Sequence, residues 1–285
     1  MDFRKAMQDL LNENNGDLET FQLDTFAMDI FNHRAEIPKL YRYMPANYYS
    51  IRNLETKTIF LSEAGKMNGI FEGAGFCFKQ GEEKAFNQLT DLLYMKSFSE
   101  CYNNLLMWGT YAENYSGICV EYDLTNMKEE LNYYCHLFPI VYQQKRFDSS
   151  FSSYKMLMQE LENYKIAKMQ NCSVDIHFMQ NIYGIYLIKS PYWKYEQEWR
   201  FMVPKAYMEE SYSEGGVYSE YDEECQFSIN SPIIPFNYVS AVYLGPRIEQ
   251  TIKQHIVDIC KQTLKKPVFE MTMSLTEFDL EKCEL

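Results

Sequence analysis

Polar and apolar positions along this chain follow two periods, and the switches between them mark out the elements. Phe3, Met7, Leu10 and Leu11 recur at helical spacing, and the pattern continues with acidic character to about residue 34, which predicts a peripheral helical arm over 1–37. Pro38 ends it. Leu40-Tyr-Arg-Tyr-Met44 then reads as a short strand closed by Pro45, residues 48–56 as a short helix, and Thr58-Ile-Phe-Leu-Ser62 as a second strand. Five glycines between Gly65 and Gly81 predict a loop. A helix starting near Glu82 leads into a predicted strand over 92–99, followed by an aromatic helix over 100–114 and a buried strand at 117–122.

The second half is read in the same way. A helix near 125–133 and a strand at 138–143 precede a long helical region over 150–188, where Tyr154, Leu157, Met158, Leu161 and Tyr164 form an ordinary core stripe. Strands are predicted at 197–203, 238–244 and, last in the chain, 267–271; a helix at 247–264 turns Ile248, Ile252, Ile256 and Cys260 inward. The segment 209–224 is acidic without any basic residue and reads as a solvated loop or hairpin. Strands and helices do not alternate regularly, which indicates an α+β fold. The economical organisation is one domain over 38–285, with a mixed, mainly antiparallel sheet flanked by helices, plus the 1–37 arm.

Composition narrows the classes. Hydrophobic residues make up 46% of the 285, with 24 Tyr and 19 Phe, so the chain has ample material for a core. A net charge of −13 argues against general binding of duplex DNA, which depends on Lys and Arg neutralising phosphates. No apolar run reaches the length of a membrane span, and Met1-Asp-Phe-Arg-Lys5 lacks the apolar core of a signal peptide. The eight cysteines show no C-x-x-C pair and read as reduced cytoplasmic thiols. With four scattered histidines, no G-x-x-x-x-G-K-[ST] and no G-x-S-x-G, zinc sites, phosphate loops and serine hydrolase elbows are set aside.

One stretch stands out. Between Lys189 and Val203 two glutamates, Glu196 and Glu198, run into an apolar strand that also carries Arg200. Strand alternation places these three on one face, with Gln197, Trp199 and Phe201 on the other. Such a face binds something polar, or it is a solvated face held by ion pairs, with Arg200 as the structural partner of Glu198.

Four segments carry a resemblance to a known family: Leu40-Tyr-Arg-Tyr; Ile59-Phe-Leu-Ser with Met67-Asn-Gly-Ile-Phe-Glu; Ser97-Phe-Ser-Glu with the run from Asn104 to Tyr122; and Lys189 to Arg200. Together, over about 38–250, they resemble a bacterial domain of unknown function, family 2971. That family more often has F-N-D-P-F-[DE] where this chain has Met67 to Glu72, so no role attaches to an aspartate at Gly69. The order of motifs also resembles ADP-ribosyltransferases of the arginine–serine–glutamate type, which place an Arg, an S-x-S and an E-x-E on successive strands. Here Arg42, Ser97 with Ser99, and Glu196 with Glu198 come in that order.

What the second resemblance implies is an NAD-consuming transferase. Glu198 would stabilise the oxocarbenium-like centre formed as the nicotinamide–ribose bond breaks, and Glu196 would orient the acceptor or take its proton. Arg42 would pair with an NAD phosphate, Ser97 and Ser99 would hold the ribose, and Trp108 and Tyr111 would stack on a ring, with Arg200 close by. The acceptor would be a protein or nucleic acid, and the setting a toxin or a component of stress or phage defence with a partner protein. A metal-dependent nuclease or hydrolase built on Glu196 and Glu198 is one alternative. A non-enzymatic interaction module is another.

Overall fold

The computed structural model describes residues 1–16, 18, 20–67, 76–77, 93–128, 136–148, 159, 162–163, 166, 169–170, 183–205 and 233–285. Most of the glycine-rich stretch, the helix starting near Glu82, residues 129–133, most of the 150–188 region and the acidic 209–224 insertion lie outside them.

The order of elements is α1 (Phe3–Glu13), α2 (Thr20–Asn32), β1 (Leu40–Met44), α3 (Tyr48–Thr56), β2 (Thr58–Phe60), β3 (Ser62–Glu63), β4 (Phe76–Cys77), β5 (Leu93–Ser99) and α4 (Leu105–Tyr111). There follow β6 (Ile118–Tyr122), β7 (His136–Pro139), β8 (Val141–Tyr142), β9 (Phe147–Asp148), α5 (Tyr183–Tyr186), β10 (Ile188–Lys189) and β11 (Glu198–Pro204). The chain closes with β12 (Ile233–Pro235), β13 (Val239–Leu244), α6 (Gln250–Asp258), β14 (Val268–Met273) and β15 (Leu280–Glu284). A nine-stranded sheet in the order β15-β14-β13-β6-β1-β5-β11-β7, with β3 also on β5, carries the fold. Its pairs are antiparallel except β13 with β14, so the α+β class with a mainly antiparallel sheet holds.

Both faces of the sheet carry an apolar cluster. Trp199, Phe201 and Val203 of β11 join Phe98, Tyr122 and Phe236 in the larger core, while Tyr41, Tyr43, Cys119, Ala241 and Tyr243 form a second cluster with Met107 and Trp108 of α4. The helical arm is there, but α1 does not sit at the periphery. Phe3, Met7 and Leu11 are buried in the larger core, with Phe3 edge-on to Trp199 at 6.0 Å. Burying each contributes on the order of 2 kcal/mol. Arg4 fixes the helix to the sheet, donating to the Ile140 and Glu198 carbonyls and pairing with Glu100.

Several boundaries depart from the sequence reading. The aromatic helix begins only at Leu105, because Asn104 caps it by accepting from the Leu106 and Met107 amides. The helix after β13 changes at Ile259 to a π-helical turn ending at Leu264. Thr125 to Lys128 are not helical. β15 is an additional strand beyond 267–271, pairing with β14 from Phe269↔Glu284 to Met273↔Leu280.

β5 has an unusual edge. It pairs with β1 at the single position Tyr41↔Ser99, and farther along the same edge with β3, at Ser62↔Met95 and Glu63↔Tyr94. Arg42 fills the interval, its Nη1 donating to the Ser97 carbonyl at 2.9 Å.

Candidate functional site

β5 sets the site's geometry. Its register with β11 places Glu198 opposite Ser99 and Arg200 opposite Ser97, and opposite partners share a face. Arg42 comes from the next strand over, two strand spacings or about 10 Å from the β11 backbone. By alternation its side chain belongs to the other face, with Tyr122 and Lys96. The break between β1 and β3 lets its guanidinium reach a cleft of about 190 Å³ on the Glu198 face. Arg42, Ser97, Ser99, Tyr111, Glu196 and Glu198 all line that cleft, along with Lys189 and Trp193.

Glu196 does not reach the cleft by strand alternation. It ends a 3-10 turn over Pro191–Glu196, and Gln197 then adopts a left-handed conformation, φ 45° and ψ 50°, before β11 begins at Glu198. This reversal turns both carboxylates towards one lysine. Lys189 Nζ donates to Glu196 Oε2 at 2.6 Å and to Glu198 Oε2 at 3.0 Å. Glu196 Oε1 accepts from the Tyr111 hydroxyl at 2.6 Å.

The two carboxyls titrate in opposite directions. Burial disfavours the charge on Glu198, but Arg200 and then Lys189 outweigh it and hold Glu198 well below the usual carboxylate range. For Glu196 burial prevails over Lys189, and its pKa is raised. A pair pushed apart in this way has the makings of an acid–base assignment. Ser97 Oγ helps hold Glu198 ionised, yet it is buried without a well-aligned hydrogen bond. Ser99 Oγ accepts from the Cys101 amide at 3.3 Å.

Two of the expected contacts lie elsewhere. Trp108 is fully buried in the second core cluster, edge-on to Tyr43 at 5.3 Å, with its indole N–H donating to the Tyr102 carbonyl at 2.8 Å. It is not part of the cleft wall. Arg200 is also fully buried and does not line the cleft. Its Nε and Nη2 hold Glu198, and its Nη1 donates to the Tyr186 carbonyl. Arg200 therefore acts on any ligand only through Glu198.

Sequence reasoning missed Lys189 as the bridge. It also missed Tyr142, whose hydroxyl accepts from the Glu198 amide at 2.7 Å. Among the described residues no group of three or more His, Cys, Asp or Glu is placed to hold a metal ion. Between the two carboxylates the position belongs to the Lys189 ammonium. That arrangement does not suit a divalent cation held by Glu196 and Glu198. Nor is any helix among the described residues long and apolar enough to cross a membrane.

Residues 107–201, about a third of the chain, match the family model described as "Protein of unknown function (DUF2971)". The match includes Tyr111, Lys189, Glu196, Glu198 and Arg200, and excludes Arg42, Ser97 and Ser99. No curated protein and no solved structure matches the chain.

Proposed function

We propose that the chain is an NAD-consuming enzyme of ADP-ribosyltransferase type, with the Glu198 cleft as its active site. One observation carries the reading: Arg42, Ser97, Ser99, Glu196 and Glu198 line one cleft, and its deepest carboxylate is kept ionised. The cleft's volume of about 190 Å³ suits the nicotinamide–ribose end of NAD and leaves the rest of the dinucleotide at the mouth, beside Lys66 and Trp193. The Ser97 hydroxyl, beside Glu198 and without a well-aligned partner, is placed to meet a ribose hydroxyl.

The chemistry follows from the opposed titration of the two acids. Glu198 stays anionic and faces the positive charge that grows on the ribose as the C–N bond breaks, stabilising the transition state more than the ground state. Nicotinamide leaves neutral and needs no proton. The acceptor's nucleophilic atom forms the new bond to the ribose carbon, and its proton passes to the Glu196 carboxylate, whose raised pKa suits a base. Arg42 offers its guanidinium to a phosphate. Lys189 bridges the two carboxylates, and Arg200, which holds Glu198 alone, sets their roles apart.

The acceptor is a macromolecule under this reading, and the biological setting is a toxin or defence effector. The test is release of nicotinamide from NAD by the purified chain, alone and with cell lysate, followed by mass spectrometry for an added ADP-ribose. Turnover that is lost in Glu196→Gln, a folded variant with the cleft's shape kept, supports the assignment. No nicotinamide from the wild type under either condition removes it.

A further inference from the structure

A second cavity, of about 420 Å³, opens on the opposite face of the sheet. Leu54 of α3, Ile59 and Phe60 of β2, Met44 and Val239 make much of its wall apolar. Lys96 and Arg42 line it too, and strand alternation puts both on this face with Tyr122. Among the described residues no Asp or Glu lines it.

Lys96 and Arg42 stand close together with no carboxylate between them among the described residues that line the cavity, although Arg42 also senses Glu198 and Glu196 from the other face. Among the described residues Lys96 has no hydrogen-bond or ion-pair partner, and the charge it senses is that of Arg42, which is repulsive. Arg42 spends Nη1 on the Ser97 carbonyl, and its Nε is buried without an acceptor. Both residues are half-buried, and a partly desolvated charge without a partner is still costly, a cost that an anion would offset. The apolar wall adds a place for a hydrophobic body beside that cationic end.

We infer that this cavity binds a small organic anion, its carboxylate or phosphate held by Lys96 and Arg42 and its apolar body packed on Leu54, Ile59 and Phe60. The site shares Arg42 and Ser62 with the Glu198 cleft, but Lys96 and the apolar wall belong to it alone, so the inference stands whether or not NAD is the substrate of the other face. Burial and the neighbouring Arg42 charge drive the Lys96 pKa well down, and a bound anion favours its ammonium form.

The experiment is calorimetric titration of the full chain with phenyl phosphate, benzoate and uncharged benzyl alcohol. At least one anion is expected to bind with a dissociation constant of about 1 mM or tighter, and benzyl alcohol at least tenfold more weakly, reasonable for ligands of this size. The tighter of the two anions identifies the head group. Lys96→Met and Lys96→Gln, each checked for folding by circular dichroism, should weaken anion binding at least tenfold. Equal binding of the alcohol and the anions, full binding by a folded Lys96 variant, or no anion bound at about 10 mM would overturn the inference.

Discussion

Arg200 grips the carboxylate of Glu198, two positions before it on the same strand, through Nε to Oε1 at 2.8 Å and Nη2 to Oε2 at 3.2 Å. Both side chains are buried, so this pair belongs to the structure as well as to the site. Breaking a buried pair from one side costs about 3–5 kcal/mol, towards the low end here because Lys189 still reaches Glu198, whereas replacing both members costs far less. Arg200→Met should therefore lower the melting temperature by roughly 10 °C for a chain of this size. The double variant Glu198→Met with Arg200→Met should recover most of that loss. Thermal denaturation of the three proteins checks it, and a double variant less stable than Arg200→Met would show that the two do not act as a pair.

Glu198→Gln is expected to reduce turnover by about two orders of magnitude or more, the scale for loss of one key electrostatic group. It should also lower stability, since Arg200 and Lys189 lose their charged partner. Kinetics must be taken well below its reduced melting temperature.

The two carboxyls give stability opposite dependences on pH. The folded-state pKa of Glu198 is depressed, so its contribution is present above the unfolded value of about 4.3 and is lost as pH falls through the folded one. Glu196 is raised, so its contribution is present below the unfolded value and is lost as pH rises through the folded one. Glu196→Gln should therefore match or exceed the wild type in stability at pH 7–8 and lose this advantage near pH 4. Denaturant titrations at the two pH values read the difference directly.

Gln197 tests the reversal between the carboxylates. A non-glycine residue in the left-handed region costs about 1–2 kcal/mol, so Gln197→Gly should be close to neutral, relief of strain offsetting the greater freedom of the unfolded chain. Gln197→Val should destabilise strongly and separate Glu196 from Lys189. Chemical denaturation should rank the three proteins Gly ≈ Gln > Val; a tolerated valine would mean the turn can be remade.

Lys96→Met should raise the melting temperature near pH 7 in the absence of ligand. The lysine's folded pKa lies below its unfolded value, so the unfolded chain binds the extra proton and the wild type gains stability as pH rises. The advantage of the methionine variant should shrink towards pH 10, which paired melting curves at the two pH values would reveal.

The parts of this molecule that obey a simple period could be read from the chain alone. β1, β5 and β11 are short apolar and aromatic runs broken by a few polar residues, so Arg42, Ser97, Ser99 and Glu198 could be placed on strands before any coordinates. Gln197 could not be placed, because Gly or Asn announces a left-handed residue and Gln does not. Glu196 was therefore expected on the strand. Trp108 and Tyr111 sit one helical turn apart, close enough to share a side, yet the boundary between core and cleft passes between them. β15 escaped notice because Leu280 is its one buried residue and the remaining four positions are exposed. Lys189 joins the carboxylates through a short strand and a 3-10 turn, a path with no periodic trace.

The anchoring of α1 bears on the order in which the molecule is assembled. Arg4 closes on the Glu198 and Ile140 carbonyls across separations of 194 and 136 residues. In a chain made from its amino end, the first helix is complete long before either acceptor exists. Its buried side, with Phe3, Met7 and Leu11, must wait for β7 and β11 before it can dock. Contacts of such range come late and slow the final collapse. Until then the helix exposes a greasy stripe, a natural point of capture for a chaperone and of failure for a stalled chain.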